Sequence, residues 1–230
     1  MANILNIESS TNICSVCISN EEQMLSIRET AANEHASKIT LLIEQCLKEA
    51  DLKITDLDAV AISNGPGSYT SLRVGGSTAK GICYALEIPL IAVDTLESLA
   101  LAAYQKLKDT SAFYCPMIDA RRMEVYAAIF KIENGRMVLH EPTVPLIITP
   151  ETFKRFVDAS KRLVLSGNGA TKCEPNLIPD RVIDTSISCS ATHMIPLSKA
   201  CYDIKNFVDV SYYTPQYLKA ANITVAKNKL

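Results

Sequence analysis

Two kinds of residue in this chain could handle a phosphorylated ligand: acids that close apolar runs, and glycine-rich turns just beyond such runs. Glu8 ends the run Ile4-Leu5-Asn6-Ile7 and is followed by Ser9 and Ser10, while Asp119 ends the stretch that starts at Ala112 and is followed by Ala120-Arg121-Arg122. Gly65 and Gly67 flank Pro66 behind Leu57-Asp58-Ala59-Val60-Ala61-Ile62, and Gly167 and Gly169 follow Leu163-Val164-Leu165. A strand, a forced turn and a helix start turn backbone N–H groups and the positive end of a helix dipole toward an anion. In a working phosphotransferase cleft the first acid would help hold a metal and the glycine turns would surround the nucleotide. A helix terminus supplies only about 0.3–1 kcal/mol, against roughly 8 kcal/mol for micromolar binding, so other groups must supply the rest. The same Gly-Pro-Gly turn also suits close packing of a helix on a sheet. It is not a G-x-x-x-x-G-K-S/T phosphate loop, because Lys80 stands well down the following helix.

Other chemistries find less support. The histidines are His35, His140 and His193, and none lies within five residues of another, so no helical ligand pair for a metal forms. A peptidase would be expected to show H-E-x-x-H, G-x-S-x-G or a Cys-His pairing, and none stands out. The cysteines at 14, 17, 46, 83, 115, 173, 189 and 201 are scattered, and reduced thiols are expected. Cys14 and Cys17 have C-x-x-C spacing but fall in an expected strand, where residues three apart face opposite ways.

The 230 residues are 48% apolar, enough for one large or two small domains, and carry 23 basic against 25 acidic groups. The formal charge of −2 disfavours independent RNA binding; only Arg121-Arg122 and the tail lysines Lys219, Lys227 and Lys229 are locally basic. No apolar run reaches the roughly 18–20 residues of a membrane span, and Met1-Ala2-Asn3-Ile4 is not a basic leader, so a soluble, cytoplasmic protein without a membrane role is expected.

These residues must be positioned by an α/β framework. Three short β-type runs between Ala2 and Arg28 suit an antiparallel meander. A helix follows from His35 to Ala50 with one apolar stripe, then a strand Leu57 to Ser63, a helix from about Thr70 to Leu86, a strand Pro89 to Val93, and a helix capped by Asp94 or Thr95. The order βββαβαβα begins again at Ala112, with strands Ala112 to Asp119, Glu124 to Lys131 and Met137 to about Ile148. A helix opening at Pro150, a strand Leu163 to Leu165, a loop-rich stretch Gly167 to Ser190 and a helix Ala191 to Asp203 complete it. Two lobes, 1–107 and a reduced 108–230, are expected to meet across a cleft, with the helix near 191–206 packing back on the first lobe.

Four segments, in chain order, resemble the motifs of the TsaB (YeaZ) family: Asn64-Gly65-Pro66-Gly67-Ser68-Tyr69-Thr70-Ser71-Leu72-Arg73-Val74-Gly75, Ile118-Asp119-Ala120-Arg121-Arg122-Met123-Glu124-Val125-Tyr126, Ser166-Gly167-Asn168-Gly169 and Pro215-Gln216-Tyr217-Leu218-Lys219. The resemblance implies an α/β protein of the actin-like, sugar-kinase and Hsp70 (ASKHA) fold. It implies a noncatalytic partner of TsaD, the subunit that transfers threonylcarbamoyl to the adenosine beside the anticodon of tRNA. TsaE is the implied third member, a homodimer the implied state of the chain alone, and tRNA is implied to be reached only through the complex. The implied partner contact uses the first two helices, here Ile39, Leu42, Ile43 and Cys46 with Leu72, Gly76, Ala79 and Cys83. A degenerate nucleotide site would draw on Glu8, Ser9, Gly65, Gly67, Asp119, Gly167 and Gly169, with no cofactor in isolation and weak ATP or ADP binding in the complex. Glu8 departs from the commoner Asp, and Lys219 from the commoner Arg, which changes any bidentate contact there. Two classes of function stand: a scaffold for a tRNA-modifying enzyme, and an actin-like phosphotransferase with its own nucleotide. The missing glycine in Glu8-Ser9-Ser10-Thr11 favours the first.

Overall fold

The computed structural model describes residues 1–21, 23–30, 35–149, 151–154, 162–173, 182–184 and 187–219. Its first sheet joins β1 (Asn3–Glu8), β2 (Ser15–Asn20), β3 (Gln23–Glu29), β4 (Ala59–Ser63) and β5 (Leu90–Val93) in the order β3-β2-β1-β4-β5. The β1-β2-β3 pairs are antiparallel, whereas β4 lies parallel to both β1 and β5. β4 is buried on both faces, which is why Ala59-Val60-Ala61-Ile62 reads as a continuous apolar run.

The second sheet repeats the plan. It contains β6 (Phe113–Asp119), β7 (Glu124–Glu133), β8 (Arg136–Ile147), β9 (Leu163–Ser166) and β10 (Val182–Asp184), in the order β10-β9-β6-β7-β8. β10 falls in the stretch expected to be loop. Its three residues are too few to show a period-two alternation. The helix expected to open at Pro150 runs mostly outside the described residues; within them, residues 151–154 form a turn that buries Phe153.

Four helices among the described residues cover the sheets: α1 (His35–Glu49), α2 (Tyr69–Leu86), α3 (Thr95–Leu107) and α4 (Ala191–Asp203). α1 and α2 take one face of the first sheet, where Ile39, Leu42, Ile43, Cys46, Ala79 and Cys83 share a core with Leu5, Ile7, Val16 and Ile62. α4 takes the opposite face, setting Met194 on Ile4, Ala61 and Ile91, and Ala191 and Ile195 on Cys17. Cys14 belongs to the α1–α2 side, so the C-x-x-C pair is split by the sheet.

A buried polar bridge fixes α4. The Ser198 hydroxyl donates to Asn6 Oδ1 at 2.6 Å, and Asn6 Nδ2 donates to Ser19 Oγ at 3.1 Å. Chain order assigns α3 to the first lobe, yet its buried residues Leu96, Leu99, Ala100 and Ala103 pack on Tyr114, Ile118, Phe130 and Val164 of the second sheet. The expected unit 1–107 therefore holds a helix whose apolar face belongs to the other sheet, because amphipathicity names a buried face and not the body that buries it. Asp94 caps α3, its Oδ1 accepting from Glu97 N at 2.9 Å. Two like sheets with α3 and α4 in contact between them form the actin-like α/β architecture expected from the sequence.

Candidate functional site: the interlobe cleft

The turns that end β1, β4 and β6 converge on a cleft of about 1050 Å³, together with Asn168 and the segment Gln216–Lys219. Gly67 and Asp119 line it as expected. Among the described residues that line it, Glu8, Ser9, Gly65, Gly167 and Gly169 do not appear; they stand behind its wall.

Their burial has a physical cause. Glu8 is 1% exposed, its Oε1 accepts from Ser10 N at 2.6 Å, and burial pushes its carboxyl above the usual carboxylate range. Ser9 N donates to Ser63 Oγ at 3.0 Å and Ser68 N to Ser10 O at 2.7 Å. Gly167 N donates to Ile187 O and Gly169 N to Met117 O, each at 3.0 Å, and Asp119 N donates to Asn168 Oδ1 at 3.0 Å. The backbone donors of Ser9, Ser10, Ser68, Asp119, Gly167 and Gly169 are thus engaged by the chain itself. The glycines serve the same close packing: a Cβ at Gly67 would clash with Ser10 O and one at Gly167 with Met117 O, while one at Gly65, where φ is +97°, would stand 2.8 Å from Gln216 O.

The second-lobe wall is held by ion pairs. Lys172 Nζ contacts Asp119 Oδ1 at 2.8 Å and donates to Glu124 O at 2.8 Å, and Lys219 pairs with the Glu124 carboxylate. Arg121 joins this network through its backbone N–H, which donates to Asp119 Oδ1 at 2.6 Å. Its guanidinium and that of Arg122 remain exposed.

The closing segment is a strap that the sequence did not foretell. Gln216 N donates to Asn64 O of the first lobe at 2.7 Å, and three residues later Lys219 reaches Glu124 of the second. Tyr217 rests on Tyr69 with ring centroids 4.7 Å apart, and the Arg73 guanidinium lies 4.5 Å from the Tyr69 centroid. Lys80, excluded as a phosphate lysine, instead donates to Ser211 O and Tyr213 O and so ties the strap to α2. The only trace of this in the sequence is the motif Pro215 to Lys219 standing where no apolar period remains.

Metal and hydrolytic chemistry gain nothing from the geometry. Among the described residues no group of three or more His, Cys, Asp and Glu converges. His140 lies against the Phe113 ring at 5.0 Å. His193 borders a separate cavity of about 330 Å³ with Lys106, Ser188 and Ser190; burial lowers its pKa, and no carboxylate lines that cavity among the described residues. The hydroxyl of Ser190 caps α4, accepting from Thr192 N at 3.4 Å. The side chain of His35 lies outside the described residues.

The residues expected at the partner contact face the interior of this subunit. Ile39, Leu42, Ile43, Cys46, Leu72, Ala79 and Cys83 are buried inside this subunit, Leu42 being the most exposed at 6%. Gly76 lies beneath the strap, with Tyr213 and Pro215 at 3.6 and 3.7 Å from its Cβ position. Each helix has one apolar stripe, and the first sheet takes both. The outward surface of the pair carries other residues: Leu41 at 52% exposure on α1, and Ser77, Gly81 and Tyr84 on one face of α2, with Tyr84 82% exposed.

Comparison with known proteins agrees with this architecture. Residues 23–226 match the family model described as TsaD: tRNA N6-adenosine threonylcarbamoyltransferase. The TsaB protein of Escherichia coli, a tRNA threonylcarbamoyladenosine biosynthesis protein, is 30% identical over 94% of this chain and 94% of its own length, and the Bacillus subtilis TsaB is 27% identical over 95% and 94%. The solved structure of YeaZ from Pseudomonas aeruginosa superposes with a TM-score of 0.81 at 27% identity, covering 95% of this chain and all of that one. By contrast, the threonylcarbamoyltransferase of Caldicellulosiruptor saccharolyticus is 44% identical over only 36% of this chain and 25% of its own length. The end-to-end match distinguishes the two related groups: the chain belongs to the TsaB (YeaZ) family.

Proposed function

We propose that this chain is a noncatalytic subunit of the machinery that makes threonylcarbamoyladenosine on tRNA, and that it braces TsaD through the outward face of α1 and α2. One observation carries the contact. A Cβ at Gly81 would meet nothing within 4 Å, so this exposed helical glycine forgoes about 1 kcal/mol of helix stability with no return inside the subunit. Gly75 and Gly76 are different, since Ser9 and Ile62 crowd the first and the strap covers the second. A partner helix laid along Ser77 and Gly81, between Leu41 and Tyr84, would use the missing side chain for close approach. Two neighbouring helices can furnish the roughly 800 Å² per partner of a standard interface.

The engaged backbone donors around Ser9, Ser68, Gly167 and Gly169 support the noncatalytic half of the proposal. On this reading ATP or ADP binding is weak and partner-dependent, and the chain alone carries out no turnover. In this proposal TsaE joins the pair in the cytoplasm, the chain alone self-associates through the same face, and tRNA is engaged in the complex. No helix among the described residues is long and apolar enough to cross a membrane. The test is size-exclusion chromatography of the chain mixed with TsaD. Wild type should co-elute, and Gly81→Arg should elute apart from TsaD with an unchanged or raised melting temperature, because it restores helix propensity; co-elution of a folded Gly81→Arg protein counts against this face.

A further inference from the structure

Resting on the reading above, which makes an RNA the substrate of the assembly, we propose that the mouth of the interlobe cleft contacts an unpaired RNA strand. Arg121 and Arg122 meet its phosphates, and Tyr217 offers a face on which a base stacks.

Charge supports the first part. The acids of the cleft are neutralised in place, Asp119 by Lys172 and Glu124 by Lys219. Arg121 and Arg122 are exposed and, among the described residues, have no carboxylate partner. A chain of formal charge −2 therefore presents a local excess of positive charge where its two lobes meet. The turn that presents it is a poor choice for stability alone, because φ is +73° at Arg121 and +49° at Arg122, a conformation that suits Gly or Asn far better.

Aromatic geometry supports the second. Tyr217 is 36% exposed, its ring is tilted 44° against Tyr69, and Arg73 holds the pair by lying over the Tyr69 ring and hydrogen-bonding to the Tyr217 side chain. Cationic side chains beside an aromatic face are what an unpaired strand requires, since every base has a π-face and each phosphate carries a charge. A duplex keeps its bases stacked inside and cannot use such a platform. The strap holds the platform against the second lobe through Lys219, so both features border one cleft.

The experiment uses the complex of this chain with TsaD and a fluorescent single-stranded RNA of about 12 nucleotides, within the usual span of a single-strand site, followed by anisotropy across a salt series. Arg121→Asn combined with Arg122→Gly should leave the melting temperature unchanged or raised, weaken RNA binding about tenfold or more, and reduce the salt slope by about 1.4, or about 0.7 for each phosphate no longer neutralised. Arg121→Lys with Arg122→Lys should keep the slope. Tyr217→Leu should weaken binding about tenfold with the slope unchanged. Unaltered affinity and slope in the Asn-Gly variant would overturn the proposal, as would equal competition by duplex RNA or displacement of the strand by stoichiometric ATP. Failure of the wild-type chain to co-elute with TsaD refutes the pairing instead, and the same titration on the chain alone then decides the cleft.

Discussion

Replacing Glu8 with Gln should make the protein more stable as pH rises. The Glu8 carboxyl is enclosed and hydrogen-bonded to Ser10 N, with Ser63 beside it, and burial raises its pKa above the unfolded value near 4.5. Between the unfolded and folded values the native state binds more protons than the unfolded chain. Wild type therefore has its full stability below about pH 4.5 and loses it as pH rises through the folded pKa. Gln keeps an oxygen to accept from Ser10 N and has no charge to bury. The stability difference, Gln variant minus wild type, should be smallest near pH 4.5, climb by about 1.4 kcal/mol per pH unit, and level off above the folded pKa. Urea denaturation of both proteins from pH 4.5 to 8.5 measures it. The subtraction removes His193, whose lowered pKa acts with the opposite sign, and Asp94 and Glu97, whose pKa values are also raised by burial. A flat difference, or one that falls as pH rises, would refute the reasoning, because it would mean that Glu8 is ionised and partnered as a metal-holding carboxylate must be. Added magnesium should stabilise neither protein.

Two further outcomes test the packing. Gly75→Ala drives a Cβ into Ser9 Oγ and sets it 3.0 Å from Ile62 Cδ1, so it should lower stability by about 1–3 kcal/mol in a chemical melt. Ser198→Ala removes the donor to Asn6 Oδ1 and leaves a buried carbonyl unpaired; a loss of about 1–3 kcal/mol is expected by thermal denaturation, and none if α4 is only loosely seated.

Local signals revealed much of the fold. The alternating runs of β1 to β3 and of β6 to β8, the cap at Asp94 and the split Cys14–Cys17 pair all follow from periodicity and short-range geometry. What escaped was the choice of neighbour. The stripe of α1 and the small residues of α2 signal burial equally well whether a sheet or a partner covers them, and the sheet does. α3 packs on the second sheet for the same reason, whereas α4 lies on the first sheet, the side expected of the helix near 191–206. At the cleft, the residue types were legible at Gly67 and Asp119, but the inward turn of Glu8 depends on Ser10 and Ser63 meeting it, and the strap depends on pairs far apart in the chain, as Lys219 with Glu124.

The most direct measurement of the central claim is threonylcarbamoyladenosine formed on tRNA by TsaD and TsaE with this chain and a threonylcarbamoyl donor, quantified by nucleoside mass spectrometry. Glu8→Gln should support the same rate as wild type, and folded Gly81→Arg should support none. Loss of product with Glu8→Gln while Gly81→Arg remains active would place chemistry in the cleft and contradict a bracing role for the outer face of α1 and α2.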